Sequence, residues 1–230
     1  MNISKQTQPA GAYSRAGFTL IELLVVISIM ALLAGLTIPV LGAVKKHQYL
    51  KTARAELEQI ASALDNYKAK YGAYPPSYPN IPPVWNTLYY ELSGVIHDNI
   101  AKTNITLDGS CPISDAAYGN AFTPGKMGGI VNSTKDGGED STSAKNFLLG
   151  MRANRYGTSL LNGVWITNLV TSVRGPDAGY QPVGVQDVNP FRYVYPGTNN
   201  TKSYDLWIDL SIKGQTNRLS NWSGQVQIIK

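Results

Sequence analysis

Cysteine is nearly missing from this chain: Cys111 is the only one among 230 residues, so an internal disulfide is excluded. Histidine is almost as scarce. His47 and His97 are the only two, and neither stands in a spacing suited to zinc or to a nucleophile and base pair. Cys111 lies between Ser110 and Pro112 with no local active-site signature, so the chain offers no catalytic residue and reads as a non-enzyme. The excess of basic residues, 20 against 15 acids, is mild. They are dispersed through Gly- and Asn-rich sequence without an aromatic-interleaved patch, which makes nucleic acid a poor partner. The most telling scarcity is local: no charged residue occurs between Glu22 and Lys45.

What fills that gap is an apolar run from Gly17-Phe18-Thr19-Leu20-Ile21-Glu22 to Val44. It exceeds the roughly 20 residues that cross a bilayer as a helix, so spanning is the default reading of residues 18–44. Glu22 then stands where lipid should be. A charged side chain in a spanning helix costs about 2.5–3.5 kcal/mol on insertion scales, so a lone acid there asks for a specific partner. Residues 1–17 are polar, with Lys5 and Arg15 and no acid, which suits retention in the cytoplasm. A secretory signal has its small-residue cleavage site after the apolar core; here Gly17 precedes it, and a cut there leaves the helix on the mature protein.

The basic leader ending in Gly17, the hexapeptide through Glu22, the apolar helix interrupted at Pro39 and the polar domain behind it together resemble type IV pilins and the pseudopilins of type II secretion. The resemblance implies that a prepilin peptidase cuts after Gly17, that Phe18 becomes the N-methylated first residue, and that Glu22 pairs with the Phe18 amine of a neighbouring copy. It also implies that Pro39 marks a segment that melts when the subunit leaves the bilayer. Lys45, Lys46, Lys51 and Arg54 outnumber Lys5 and Arg15, so the resemblance, not the charge count, puts the N-terminus in the cytoplasm and the domain outside the bacterial inner membrane. Gly35 and Pro39 both weaken the helix, and the proline should kink or unwind it. Ala31 and Gly35, four apart, offer a small face for close helix contact.

Beyond the span, Leu50, Ala53, Leu57, Ile60, Leu64, Tyr67 and Tyr71 recur at spacings of three and four, one apolar stripe of an amphipathic helix over 45–71. Lys51, Arg54, Glu56, Glu58, Asp65 and Lys68 fall on the other face, and Gly72, Pro75 and Pro76 stop the helix. The stripe predicts packing on the chain's own sheet, with a coiled coil as the other solution of the same spacing. The remainder, 72–230, fits one globular head. Its parts are a proline-rich loop, a short helix over Leu88–Leu92, a polar insertion over 108–145 read as surface loop, and strands at Phe191–Tyr195, Tyr204–Leu210 and Val226–Ile229. The fold class is therefore α+β and pilin-like: a long N-terminal helix packed on a C-terminal antiparallel sheet.

Asn189-Pro190-Phe191-Arg192-Tyr193, Pro196-Gly197, Tyr204-Asp205-Leu206 and Asn221-Trp222 resemble the end of major pseudopilins. In that group the loop after the second strand commonly binds calcium through an Asp near a Gly. Here Lys213 precedes Gly214, leaving Asp209 as a weak substitute, with Asp136 and Asp140 as weak candidates in the insertion. No other cofactor is expected. Asn104, Asn132, Asn199 and Asn221 each begin an Asn-x-Ser/Thr triplet of the glycosylation type. The reading is a structural subunit that polymerises with identical copies, served by the prepilin peptidase and an inner-membrane assembly platform. A major pseudopilin of type II secretion is the first assignment and a type IV pilin the alternative. A rival of another class is a monomeric membrane-anchored module whose Tyr and Trp side chains within 74–90 and 118–207 hold a glycan or peptide.

Overall fold

A computed structural model describes residues 17–122, 129–134, 143–174 and 177–229, without the side chains of 36–41 and 43. Residues 1–16 of the leader and the calcium candidates Asp136 and Asp140 lie outside the described residues. The chain divides into two compact units, 1–45 and 46–230. Helix α1 (Leu20–Tyr71) begins in the first and ends in the second.

The first unit is the start of α1. Helical assignment is unbroken across Gly35 and Pro39, where the sequence predicts a kink or a melted turn. A proline removes one amide donor while holding φ near the helical value, so the backbone can continue with a single bond missing. Large apolar side chains from Phe18 to Leu33 are exposed, from 43 % at Val26 to 84 % at Phe18. Among the described residues no helix is long and apolar enough to cross a membrane.

The second unit is α+β. From residue 46 on, α1 buries Ala53, Leu57, Ile60, Ala63, Leu64 and Tyr67 in one cluster with Leu206, Ile208, Leu210 and Leu219. These last belong to an antiparallel sheet ordered β10 (Gln227–Ile229), β9 (Gln215–Ser220), β8 (Asp205–Ile212), β7 (Arg192–Val194). Strand β9 lies in the segment expected to be a connector. Gln-Thr-Asn-Arg-Leu-Ser contains one large apolar residue, Leu219, and is held in the sheet by its register with β8 rather than by its own propensity.

The region between α1 and this sheet is more ordered than its composition suggests. After α2 (Leu88–Ser93), β1 (Val95–Asp98), β2 (Thr103–Thr106), β3 (Pro112–Ser114) and β4 (Ser133–Thr134) form a second sheet in the order β3-β2-β1-β4, with only β1 and β4 parallel. Helix α3 (Asp115–Phe122) is capped by Ser114, whose hydroxyl accepts from the Ala117 amide at 3.1 Å, and it buries Tyr118, Ala121 and Phe122. The 108–145 insertion is therefore part of the core along much of its described length. Strands β5 (Tyr156–Leu161) and β6 (Val164–Leu169) make a separate hairpin around Asn162-Gly163, both at positive φ.

Two buried acids tie these layers to α1. Glu56, expected on the solvent face, is 7 % exposed. Its carboxylate accepts from the Thr171 hydroxyl at 2.6 Å and from the Ser172 amide and hydroxyl, with Arg155 Nε at 3.4 Å. Glu91, fully buried on α2, accepts from the Tyr67 hydroxyl at 2.9 Å and from the amides of Val131 and Asn132 at 3.0 and 3.1 Å. The Asn132 amide group in turn donates to Glu91 O at 2.6 Å and to Lys145 O at 2.7 Å. Gly94, at φ 69, is required there: a Cβ would meet Lys145 O at 2.9 Å.

Truncating the stripe at its centre, Ile60→Ala, should lower unfolding free energy by about 2–5 kcal/mol in denaturant titrations of the detergent-solubilised protein. A second expectation concerns pH. Burial holds the Glu91 carboxyl above its ordinary range, against the opposing pull of the two amides and Tyr67. A carboxyl raised by folding contributes its full stability below the unfolded value of about 4.5 and loses it as pH climbs through the folded value. Stability of the wild type relative to Glu91→Gln should accordingly rise as pH falls from neutral toward that value, read from paired melting curves.

Candidate functional site at the start of the long helix

Gly17 and Phe18 lie outside regular secondary structure, just before α1. Among the described residues nothing approaches within 4 Å of where a Gly17 Cβ would sit, and Phe18 is 84 % exposed, so none of them covers the peptide bond between the two. Thr19 caps the helix. Its hydroxyl oxygen accepts from the Glu22 amide at 3.3 Å, while the Thr19 amide and hydroxyl both donate to Glu22 Oε2 at 2.8 Å. This Thr-x-x-Glu arrangement is a capping box, which satisfies free amides at the helix start and places an anion at the positive end of the helix dipole. Both bonds fall on Oε2; among the described residues Oε1 accepts none.

Glu22 thus has a partner in its own chain, which the sequence reading did not assign. The signal was present in the letters, since Ser or Thr followed three residues later by Glu before an apolar run marks a helix start. Farther along, the Ser28 hydroxyl donates to Leu24 O at 2.7 Å and is satisfied within the helix. Pro39 is part of α1, and its side chain lies outside the described residues.

The other singled-out residues are scattered over the second unit. His97 Nε2 is 3.0 Å from Asp115 Oδ2, a surface pair joining β1 to α3. His47 is exposed on α1. Cys111 is free and half-buried, its Sγ 3.2 Å from Thr167 Oγ1. Among the described residues no group of three or more His, Cys, Asp or Glu could hold a metal ion. Of the four glycosylation-type asparagines, Asn104 and Asn132 are buried, Asn221 is half-buried with both ends of its amide bonded to the backbone, and Asn199 is exposed with its amide on Asp205. The aromatic residues proposed to hold a glycan or peptide are largely core: Tyr89, Tyr90, Tyr118, Tyr193 and Tyr204 are buried, and Trp165 is the one large aromatic there that stands well out.

The calcium expectation meets a donor set of the wrong sign. Asp209 is gripped by Arg218, at 2.7 and 3.0 Å, with Arg192 Nε at 3.5 Å, so its oxygens already face two cations. The β8–β9 turn, Lys213-Gly214, presents amide donors rather than oxygens, and both donate to Asp177. A calcium site needs six to eight oxygen ligands. These residues do not fit one.

Comparison with known proteins bears on part of the chain. Residues 13–38 match the family described as prokaryotic N-terminal methylation motif. A type II secretion system core protein G from Pseudomonas aeruginosa is 39 % identical over 61 residues, covering 26 % of this chain and 43 % of that protein. The protein of the same name from Pectobacterium carotovorum is 40 % identical over 63 residues, 27 % of this chain and 40 % of its own. That from Klebsiella michiganensis is 35 % identical over 92 residues, 36 % of this chain and 63 % of its own. The chain therefore spans less than two thirds of the length of the curated relatives it matches. No solved structure matches.

The capping box predicts a local effect. Thr19→Ala should cost about 1 kcal/mol at the helix start, seen as a roughly fivefold loss of amide exchange protection over the first turn of α1 in detergent.

Proposed function

We infer that this chain, which carries the prepilin-type N-terminus of pilins and pseudopilins, is a major pseudopilin of a type II secretion system. The carrying observation is the conjunction at residues 17–22: a Gly17-Phe18 bond that none of the described residues covers, a capped helix start, and one acid at the head of an apolar helix exposed on all sides. The name shared by the relatives, type II secretion system core protein G, favours secretion over a surface pilus. The activity is assembly, not chemistry.

In this reading the precursor waits in the inner membrane, N-terminus in the cytoplasm and head outside. A prepilin peptidase removes the leader after Gly17, and Phe18 becomes a methylated amine. An apolar helix greasy on every side is stable only in lipid or among other helices. Moving it from lipid into a bundle of identical helices exchanges one apolar environment for another, so the register must come from polar contacts. The Phe18 amine of one copy neutralises Glu22 of another at Oε1, while Thr19 of the same chain holds Oε2. In low dielectric this pair is worth more than on a protein surface, and a misplaced subunit leaves the charge uncompensated. The head supplies the outer layer of the fibre.

The experiment is Glu22→Ala in the secreting host. Leader removal should persist, with intact-mass measurement giving a methylated Phe18 start, while sheared fibres disappear. Normal fibre yield from this variant would defeat the pairing. A functional protein that still begins at Met1 would defeat the whole reading.

A further inference from the structure

We propose that the β8–β9 turn of the head is closed by the carboxylate of Asp177 in place of a cation, so that this turn keeps its shape without calcium. This closure is a property of the head alone and does not rest on the assignment as a filament subunit.

Lys213 and Gly214 both take positive φ, 53 and 72, which turns their successive amides toward one point. A concavity of backbone amides is an anion seat. Asp177 fills it: its carboxylate accepts from the amides of Lys213 at 3.0 Å and Gly214 at 2.8 Å and from the Ser211 hydroxyl at 2.7 Å. The Ser211 hydroxyl first, then the Gly214 amide, hold this carboxyl below its ordinary range, as expected of an acid used in its ionised form. Three donors on one carboxylate leave a divalent ion nothing to displace but hydrogen bonds the turn needs.

The charge around the turn points the same way. Along β8, Asp209 and Ser211 share the face opposite Leu206, Ile208, Leu210 and Ile212, which enter the core. On that outer face Asp209 is already paired with Arg218 and Arg192. Two guanidinium groups and the Lys213 ammonium against Asp209 and Asp177 leave an excess of positive charge. The same crossing segment is fixed a second time, where the Arg192 guanidinium donates to the Tyr180 hydroxyl at 2.8 Å. The segment that carries Asp177 and Tyr180 is thus bound to the outer face of the sheet at two points, by side chains and not by an ion.

The test is thermal unfolding of the full-length protein in detergent, with millimolar calcium or with excess EGTA. The wild-type midpoint should coincide in the two media, and terbium added in place of calcium should show no saturable emission sensitised by the tryptophans. Asp177→Ala should lower the midpoint by roughly 2–4 °C in both media, and Ser211→Ala, which removes one of three bonds, by less. If Asp177→Ala does not fold, Ser211→Ala carries the comparison. A midpoint that rises with calcium, saturable terbium emission, or Asp177→Ala and Ser211→Ala both as stable as wild type would overturn the proposal. None of these results touches the pairing at Glu22, whose failure is read from fibre yield.

Discussion

The head depends on one surface of one helix. From Ala53 to Tyr67, α1 presents an unbroken apolar stripe, and every layer that follows is positioned by meeting it or by meeting what it buries. A stripe of this kind gives burial without direction, because apolar contact is non-directional. Direction comes from the polar ties set along it: Glu56 to Thr171, Ser172 and Arg155, Arg54 to the Ser220 carbonyl at 2.7 Å, and Tyr67 to Glu91. Each fixes a different later segment, two of them against one turn of the helix and the third about three turns farther on.

Carboxylates recur in this role. Asp205 closes the β7–β8 loop by accepting from the amides of Thr198, Asn199 and Asn200 at 2.8–2.9 Å, and Gly197 is needed beside it because a Cβ would lie 2.6 Å from Asp205 Oδ1. Glu91 and Asp177 do the same for other segments, and Glu22 does it for the helix start. Buried or turn-bound acids satisfied by several backbone amides resist local opening, since losing the acid strands more than one donor. The chain has few acids, and many of those described are engaged in closing its loops.

Sequence pattern disclosed the features that rest on repetition or on a dense local motif. The three-four spacing of α1, the brief helix at Leu88 and the aromatic strand β8 are of that kind. Other features were written in the letters and passed over: Asn162-Gly163 between apolar runs specifies a two-residue hairpin turn, and Thr19-x-x-Glu22 specifies a cap. A third group had no local signal. Strand β9 is polar and exists because β8 offers it an edge, and Asn132 belongs to the core because Glu91, forty-one positions earlier, has a buried carboxyl that takes its amide. The burial of Glu56 likewise follows from residues 171–172, more than a hundred positions away, which no reading of helix periodicity could supply.

The exposed start of α1 carries a last implication. A cylinder that is oily around its whole circumference has no preferred azimuth toward its neighbours, and the Ser28 hydroxyl, turned back onto Leu24 O, does not mark one. Among the described polar groups of that stretch, only the Thr19 and Glu22 pair distinguishes one bearing from another. Angular order in a packed array of such helices therefore has two sources, the polar pair at one end and the small face of Ala31 and Gly35 along the length.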